Sequence, residues 1–171
     1  MDDEALAFAK DLMQYCFKEF LVADLDLGTI ESRDLPPSPF TSTMGRAVIL
    51  YSRQIYKYLC FSAAIYMEHI RRDANEFGQF AQIIADALIE DNPFLELTAL
   101  CSFIVNMCLL MHRTGDETLA LKGCYAIATV YPKLKTSFYF EGGWENYHIF
   151  CSVHIFSLKT QGIVELEYYK I

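Results

Sequence analysis

Four histidines, six cysteines and one knot of carboxylates are the side chains in this sequence most able to carry chemistry. His69, His112, His148 and His154 are scattered and match no metal-ligand spacing, and no His-Glu-x-x-His run occurs. His148 and His154 stand six positions apart, which does not align them on one helical face. They read as surface or satisfied core histidines rather than metal ligands. Cys16, Cys60, Cys101, Cys108, Cys124 and Cys151 include no Cys-x-x-Cys pair and fall mostly at apolar positions of helical segments. That pattern predicts small buried hydrophobes in a reducing compartment. Glu90, Asp91 and Glu96 gather at a helix junction, where carboxylates more often serve the positive end of a helix than catalysis. A phosphate-binding loop, a dinucleotide glycine fingerprint and a nucleophile elbow are all missing. The residues point away from an enzyme and imply neither a metal nor a cofactor.

Stepping out to the whole chain, 171 residues fit one domain (1–171) with enough apolar material for a sizeable core. Hydrophobic residues make up 53%, with 13 Phe and 11 Tyr, which argues against disorder. A net charge of −8 disfavours nonspecific binding to nucleic acid or anionic lipid. The acidic start Met1-Asp2-Asp3-Glu4 resembles neither a secretory signal nor a transit peptide, and no N-x-S/T sequon appears, so an intracellular, cytoplasmic protein is expected. Leu97 to Met111 is the longest apolar run and falls short of the roughly 18–20 residues that span a bilayer. No transmembrane anchor is expected from this sequence.

The elements that must position these residues are helices. Leu6, Ala9, Met13, Cys16, Phe17 and Phe20 recur at helical spacing behind Asp2-Asp3-Glu4. A loop is expected over about 23–43, where Gly28 and Pro36-Pro37-Ser38-Pro39 break the period. Thr41, Ser42 and Thr43 offer N-caps for a helix from near Met44, with Val48, Tyr51, Ile55, Tyr58 and Leu59 as its buried stripe. A short or irregular helix is expected between Cys60 and Asp73, and Phe80, Ile83, Ile84, Ala87 and Leu88 define the next one. Asn92-Pro93 closes it and opens a helix apolar nearly all round, which is stable only when other helices enclose it. Thr114-Gly115-Asp116-Glu117 reads as a capping box for a helix ending near Tyr131, because Pro132 disrupts continuation. Gly142-Gly143 permits a sharp turn before a last helix through Trp144, Tyr147, Cys151, Ile155 and Leu158. No stretch alternates as a strand would; the expectation is an all-α bundle of about seven or eight helices around a central hydrophobic helix.

Phe80 to Phe103 resembles the first homology region of the Bcl-2 family of apoptosis regulators. Phe80, Ile83, Ile84, Ala87, Leu88, Leu97, Ala99, Leu100 and Phe103 occupy the apolar places of that pattern. About forty residues on, Glu141-Gly142-Gly143-Trp144 resembles the second homology region, where Gly-Gly-Trp follows a helix. The resemblance runs from the first helix to Ile155. It departs at the Asn-Trp-Gly-Arg core, replaced here by Pro93-Phe94-Leu95-Glu96, so the family's arginine position carries the opposite charge. The family's death motif, Leu-x-x-x-Gly-Asp, is also missing: Leu50 is followed by Gln54 and Ile55.

The resemblance implies a Bcl-2-like bundle that sequesters death-motif helices of pro-apoptotic relatives in a hydrophobic surface groove and so restrains cell death. Such recognition places apolar anchors in pockets and fixes register with a polar contact. Ile55, Tyr58 and Leu59 are expected on one wall and Ile83 and Ala87 on the other. Phe94, Glu96, Thr98, Ala99 and Phe103 are expected to form the floor and end. For each apolar member, plain core packing is the competing reading. Glu96 would oppose an aspartate on a bound helix and narrow the partner range, or simply favour the first turn of its own helix. The departures suggest a divergent member, a viral homologue among the options, with mitochondrial association arising through partners. Two alternatives stay open: a Bcl-2-fold scaffold or self-associating protein, such as a homodimer, that has lost groove binding, and a pore-forming pro-apoptotic effector.

Overall fold

The computed structural model describes residues 1–20, 25, 27, 35–55, 74–87, 91–113 and 118–162. Within them the regular structure is entirely α-helical, in six helices: α1 (Asp3–Glu19), α2 (Ser42–Gln54), α3 (Ala74–Ala87), α4 (Pro93–His112), α5 (Leu119–Phe140) and α6 (Gly143–Thr160). The expected short helix between Cys60 and Asp73, the stretch 88–90 and the capping box at 114–117 lie outside the described residues.

Local chemistry sets the helix starts. Asp2 Oδ1 accepts from the Ala5 amide at 3.0 Å, and Asp3 and Glu4 add negative charge to the first turn of α1. Thr41 Oγ1 accepts from the Met44 amide at 3.4 Å and caps α2. Asn92 Oδ1 accepts from the Phe94 and Leu95 amides at 2.9 and 3.2 Å, with Pro93 in the first turn where its missing N–H is no loss. Gly142 and Gly143 take φ of +102° and +66°, and a Cβ on Gly142 would run into the Asn146 side chain. That left-handed pair reverses the chain between α5 and α6.

The helix α4 is buried on all sides except at Leu95, Glu96, Asn106, Leu110 and His112. It spans 20 residues, so it is long enough to cross a bilayer, contrary to the shorter run expected from sequence. Its setting is nevertheless a protein core. Ser102 Oγ donates to the Val48 carbonyl of α2 at 2.9 Å, and Cys108 Sγ meets the Leu119 carbonyl of α5 at 3.2 Å. Phe80 of α3 packs on Phe103 with ring centroids 5.2 Å apart. At the junction of α1, α4 and α5, Gly123 leaves no room for a Cβ: one would stand 2.6 Å from Cys108 Sγ and 2.8 Å from Met13 Cε.

One expectation is corrected. The helix α5 does not stop near Tyr131 but continues through Pro132 to Phe140. Proline removes the amide that would bond the carbonyl four residues back, and that acceptor is Ala128. The Asp2 amide supplies the missing donor at 3.0 Å. Pro132 itself is exposed.

Candidate functional site

Of the residues expected to form a groove, those on α4 lie on more than one face of that helix. Phe94 is buried against Phe138 of α5 and Tyr147 and Phe150 of α6, at centroid distances of 5.2, 5.8 and 5.7 Å. Thr98 is fully enclosed; its hydroxyl donates to the Phe94 carbonyl at 2.8 Å and lies 3.1 Å from the Tyr147 hydroxyl. These two side chains stand four apart, one helical turn, and so share the face turned to α6. Phe103 lies on the face turned to α3, buried under Phe80. Ala99 is fully enclosed. Glu96 is partly exposed in the first turn of α4, where the helix dipole favours its charge.

On α3 the apolar residues split by one turn of the helix. Phe77, Phe80, Ala81 and Ala85 face the core, and Ile84 packs partly against it. Ile83 is 53% exposed, and Ala87 one turn on is also open to solvent. Beside them Gln82 donates to Asp86 Oδ1 at 3.2 Å, and Lys133 of α5 reaches the same oxygen at 2.7 Å. The hydrogen bond and charge of Lys133 hold the Asp86 carboxyl below its ordinary pKa. Ile55, at the C-terminal cap of α2, packs partly against the core. Tyr58 and Leu59 lie outside the described residues. Of the described candidates, Ile83 and Ala87 are exposed, Ile55 and Glu96 are half-buried, and Phe94, Thr98, Ala99 and Phe103 are buried.

The Gly-Gly-Trp turn feeds a second structure, an aromatic layer. Trp144 stacks on Tyr131 at 5.4 Å and 15°, and packs on Phe8 at 4.7 Å and Phe138 at 4.8 Å. Tyr147 continues the layer to Phe94 and Phe150. Offset and edge-to-face contacts of this kind add to what area burial alone supplies. The layer ties α1, α4, α5 and α6 to one another. Trp144 alone was singled out by its motif; Phe8, Tyr131 and Phe138 are visible in the sequence only as apolar positions of separate helices.

An ionic staple also escaped sequence reasoning. Lys135 of α5 reaches Asp2 Oδ2 at 2.6 Å, and the Tyr139 hydroxyl donates to Glu4 Oε2 at 2.6 Å. Burial disfavours the Asp2 carboxylate, but the Lys135 ammonium and the Ala5 amide outweigh it and hold its pKa below the ordinary value.

The described thiols are buried and the described imidazoles half-buried. Cys16, Cys101, Cys108, Cys124 and Cys151 are buried and unbridged. Burial pushes Cys124 and Cys151 up to about 12 and raises Cys16 and Cys101 as well, so these four remain neutral thiols. His148 Nδ1 lies 2.9 Å from Thr41 Oγ1 at the α2 cap. His154 is sandwiched between Phe150 and Tyr51, 5.4 and 5.7 Å away, and burial lowers its pKa. No group of His, Cys, Asp and Glu among the described residues is arranged to hold a metal ion.

Comparison with known protein families, with characterised proteins and with solved structures gives no match to this chain.

Proposed function

We propose that this chain is a divergent Bcl-2-like protein that captures amphipathic death-motif helices of pro-apoptotic relatives along α3 and thereby restrains cell death. The observation that carries the reading is the outer face of α3. Its inner face clamps Phe80 onto Phe103 of the enclosed helix α4, while Ile83 and Ala87, one turn apart, are left open to solvent. An exposed apolar ridge seated on a rigid apolar rod suits a partner helix that brings anchors at every third or fourth position. The fold is read as the Bcl-2-like bundle of seven to eight helices, with α4 at its centre and the Gly142-Gly143-Trp144 turn as its second homology region. Ile55 belongs to the opposite wall in this reading, and Tyr58 and Leu59 are assigned there on sequence alone. Glu96, half-buried in the first turn of α4, sets a like charge against an aspartate on the incoming helix and restricts the partners accepted.

A second reading is favoured by one feature. Phe94, Thr98, Ala99 and Phe103 are buried, so four of the five residues expected at the floor and end of the groove are core. A Bcl-2-like scaffold that contacts its partners through another face would look the same at these positions.

Titration calorimetry of the chain against a panel of death-motif peptides separates the two. Nanomolar binding to a subset, broadened by Glu96→Arg, supports groove capture. Silence across the panel with both proteins overturns it in favour of the scaffold.

A further inference from the structure

The last helix carries a second apolar surface that the groove reading does not use. Ile149, Val153 and Phe156 of α6 are 56%, 64% and 70% exposed. Spaced four and three apart, they form one continuous stripe, on the side of α6 opposite the buried Tyr147, Cys151 and Leu158. Single exposed hydrophobes are ordinary; three in register on one helix are not.

We propose that this stripe is where a second copy of the chain docks, with the two α6 helices packed antiparallel about a two-fold axis between Ser152 and Val153. This inference stands apart from the groove on α3. A closed two-fold contact must be self-complementary, and α6 meets that demand. Under such an axis Ile149 of each copy faces Phe156 of the other, and the two Val153 side chains meet beside the axis. The small Ser152 lets the helices approach closely. The charge pattern matches as well. The helix α6 carries only two formal charges, Glu145 near its start and Lys159 near its end, on the same edge of the stripe. The axis brings Glu145 of one copy level with Lys159 of the other, twice per dimer. The chain as a whole carries −8, while the formal charges of α6 itself sum to zero.

Sedimentation equilibrium of the full chain over a rising concentration series tests this. The expected result is a weight-average mass that climbs toward twice that of one chain. Val153→Glu, which sets two carboxylates against each other at the axis, should return it to the single-chain value. Glu145→Lys and Lys159→Glu should each weaken association by about three- to tenfold. The double swap Glu145→Lys/Lys159→Glu should restore it, which keeps the test decisive even if Val153→Glu misfolds. A single-chain mass at every concentration overturns the proposal. So does a dimer untouched by Val153→Glu and by the single charge reversals, and so does a monomer that instead co-sediments with phosphatidylcholine vesicles through this stripe.

Discussion

The Asp2 amide donates to the Ala128 carbonyl, the one acceptor in α5 that Pro132 leaves without its own helical donor. A proline that would ordinarily end a helix is thereby carried within one, and the start of α1 is fastened to the middle of α5. Pro132→Ala should consequently stabilise the chain by less than about 1 kcal/mol, against roughly 3 kcal/mol for proline in an uncompensated helix interior. Urea unfolding followed by the fluorescence of Trp144, the single tryptophan, measures the difference. A gain near the full proline penalty would show that Asp2 does not compensate.

The Asp2 side chain does two further things, capping Ala5 through Oδ1 and pairing with Lys135 through Oδ2. Asp2→Ala removes both and should cost about 1 kcal/mol. Asp2→Asn keeps an acceptor for the cap and removes the charge. Because the folded-state pKa of Asp2 lies below 3.8, its ionic contribution is present above that pH and is lost as pH falls through the folded value. Unfolding curves of the parent chain and Asp2→Asn should therefore separate near neutrality and converge in acid. A gap that stays constant with pH would contradict the assignment.

His154 gives the opposite kind of handle. Burial between Phe150 and Tyr51 disfavours its cation, so its folded pKa lies below 6.5. Above that value neither state binds the proton and the group contributes no pH dependence. As pH falls below it, the unfolded chain takes up the proton first, so stability declines until the folded pKa is passed and then levels off. His154→Phe should remove this component of the slope between pH 7 and 5. Denaturant midpoints across that window are the readout, and an unchanged slope would count against a burial-shifted His154.

Gly123 marks the tightest point of the core. Alanine there is favoured by helix propensity by about 1 kcal/mol. Its Cβ would, however, crowd Cys108 Sγ and Met13 Cε to well under contact distance. Overpacking of this kind costs about 1–3 kcal/mol, so Gly123→Ala should be net destabilising, and Cys108→Ala in the same chain should recover part of the loss. A stabilised Gly123→Ala would mean that α1, α4 and α5 sit farther apart than described.

The helices were largely legible in the sequence because their signals are local. Asn92-Pro93 marks the start of α4, Thr41 the start of α2, and Gly142-Gly143 the reversal before α6, each by chemistry confined to a few residues. The apolar run after Pro93 similarly marks an enclosed helix, since it has no continuous polar face to turn to water. Pro132 misled because its compensation comes from Asp2, at the far end of the chain. The groove was harder for another reason. Helical spacing alone does not say which neighbour a face meets: Phe94 and Thr98 turn to α6, whereas Phe103, on the same helix, turns to α3. The exposed stripe at Ile149, Val153 and Phe156 has the same period as a buried face, so spacing alone does not mark it as exposed.

The central claim is that the open side of α3 receives a partner helix, and Ile83 is the residue on which it turns. Its side chain is more than half exposed, so Ile83→Glu should leave the melting temperature unchanged. The decisive measurement is the affinity of a labelled amphipathic death-motif peptide, by fluorescence anisotropy, for the parent chain and for Ile83→Glu. The account predicts binding to the parent and a loss of at least about tenfold in the variant, the size expected when a central anchor contact is broken. Equal affinity for the two proteins, with the fold intact in both, would contradict it.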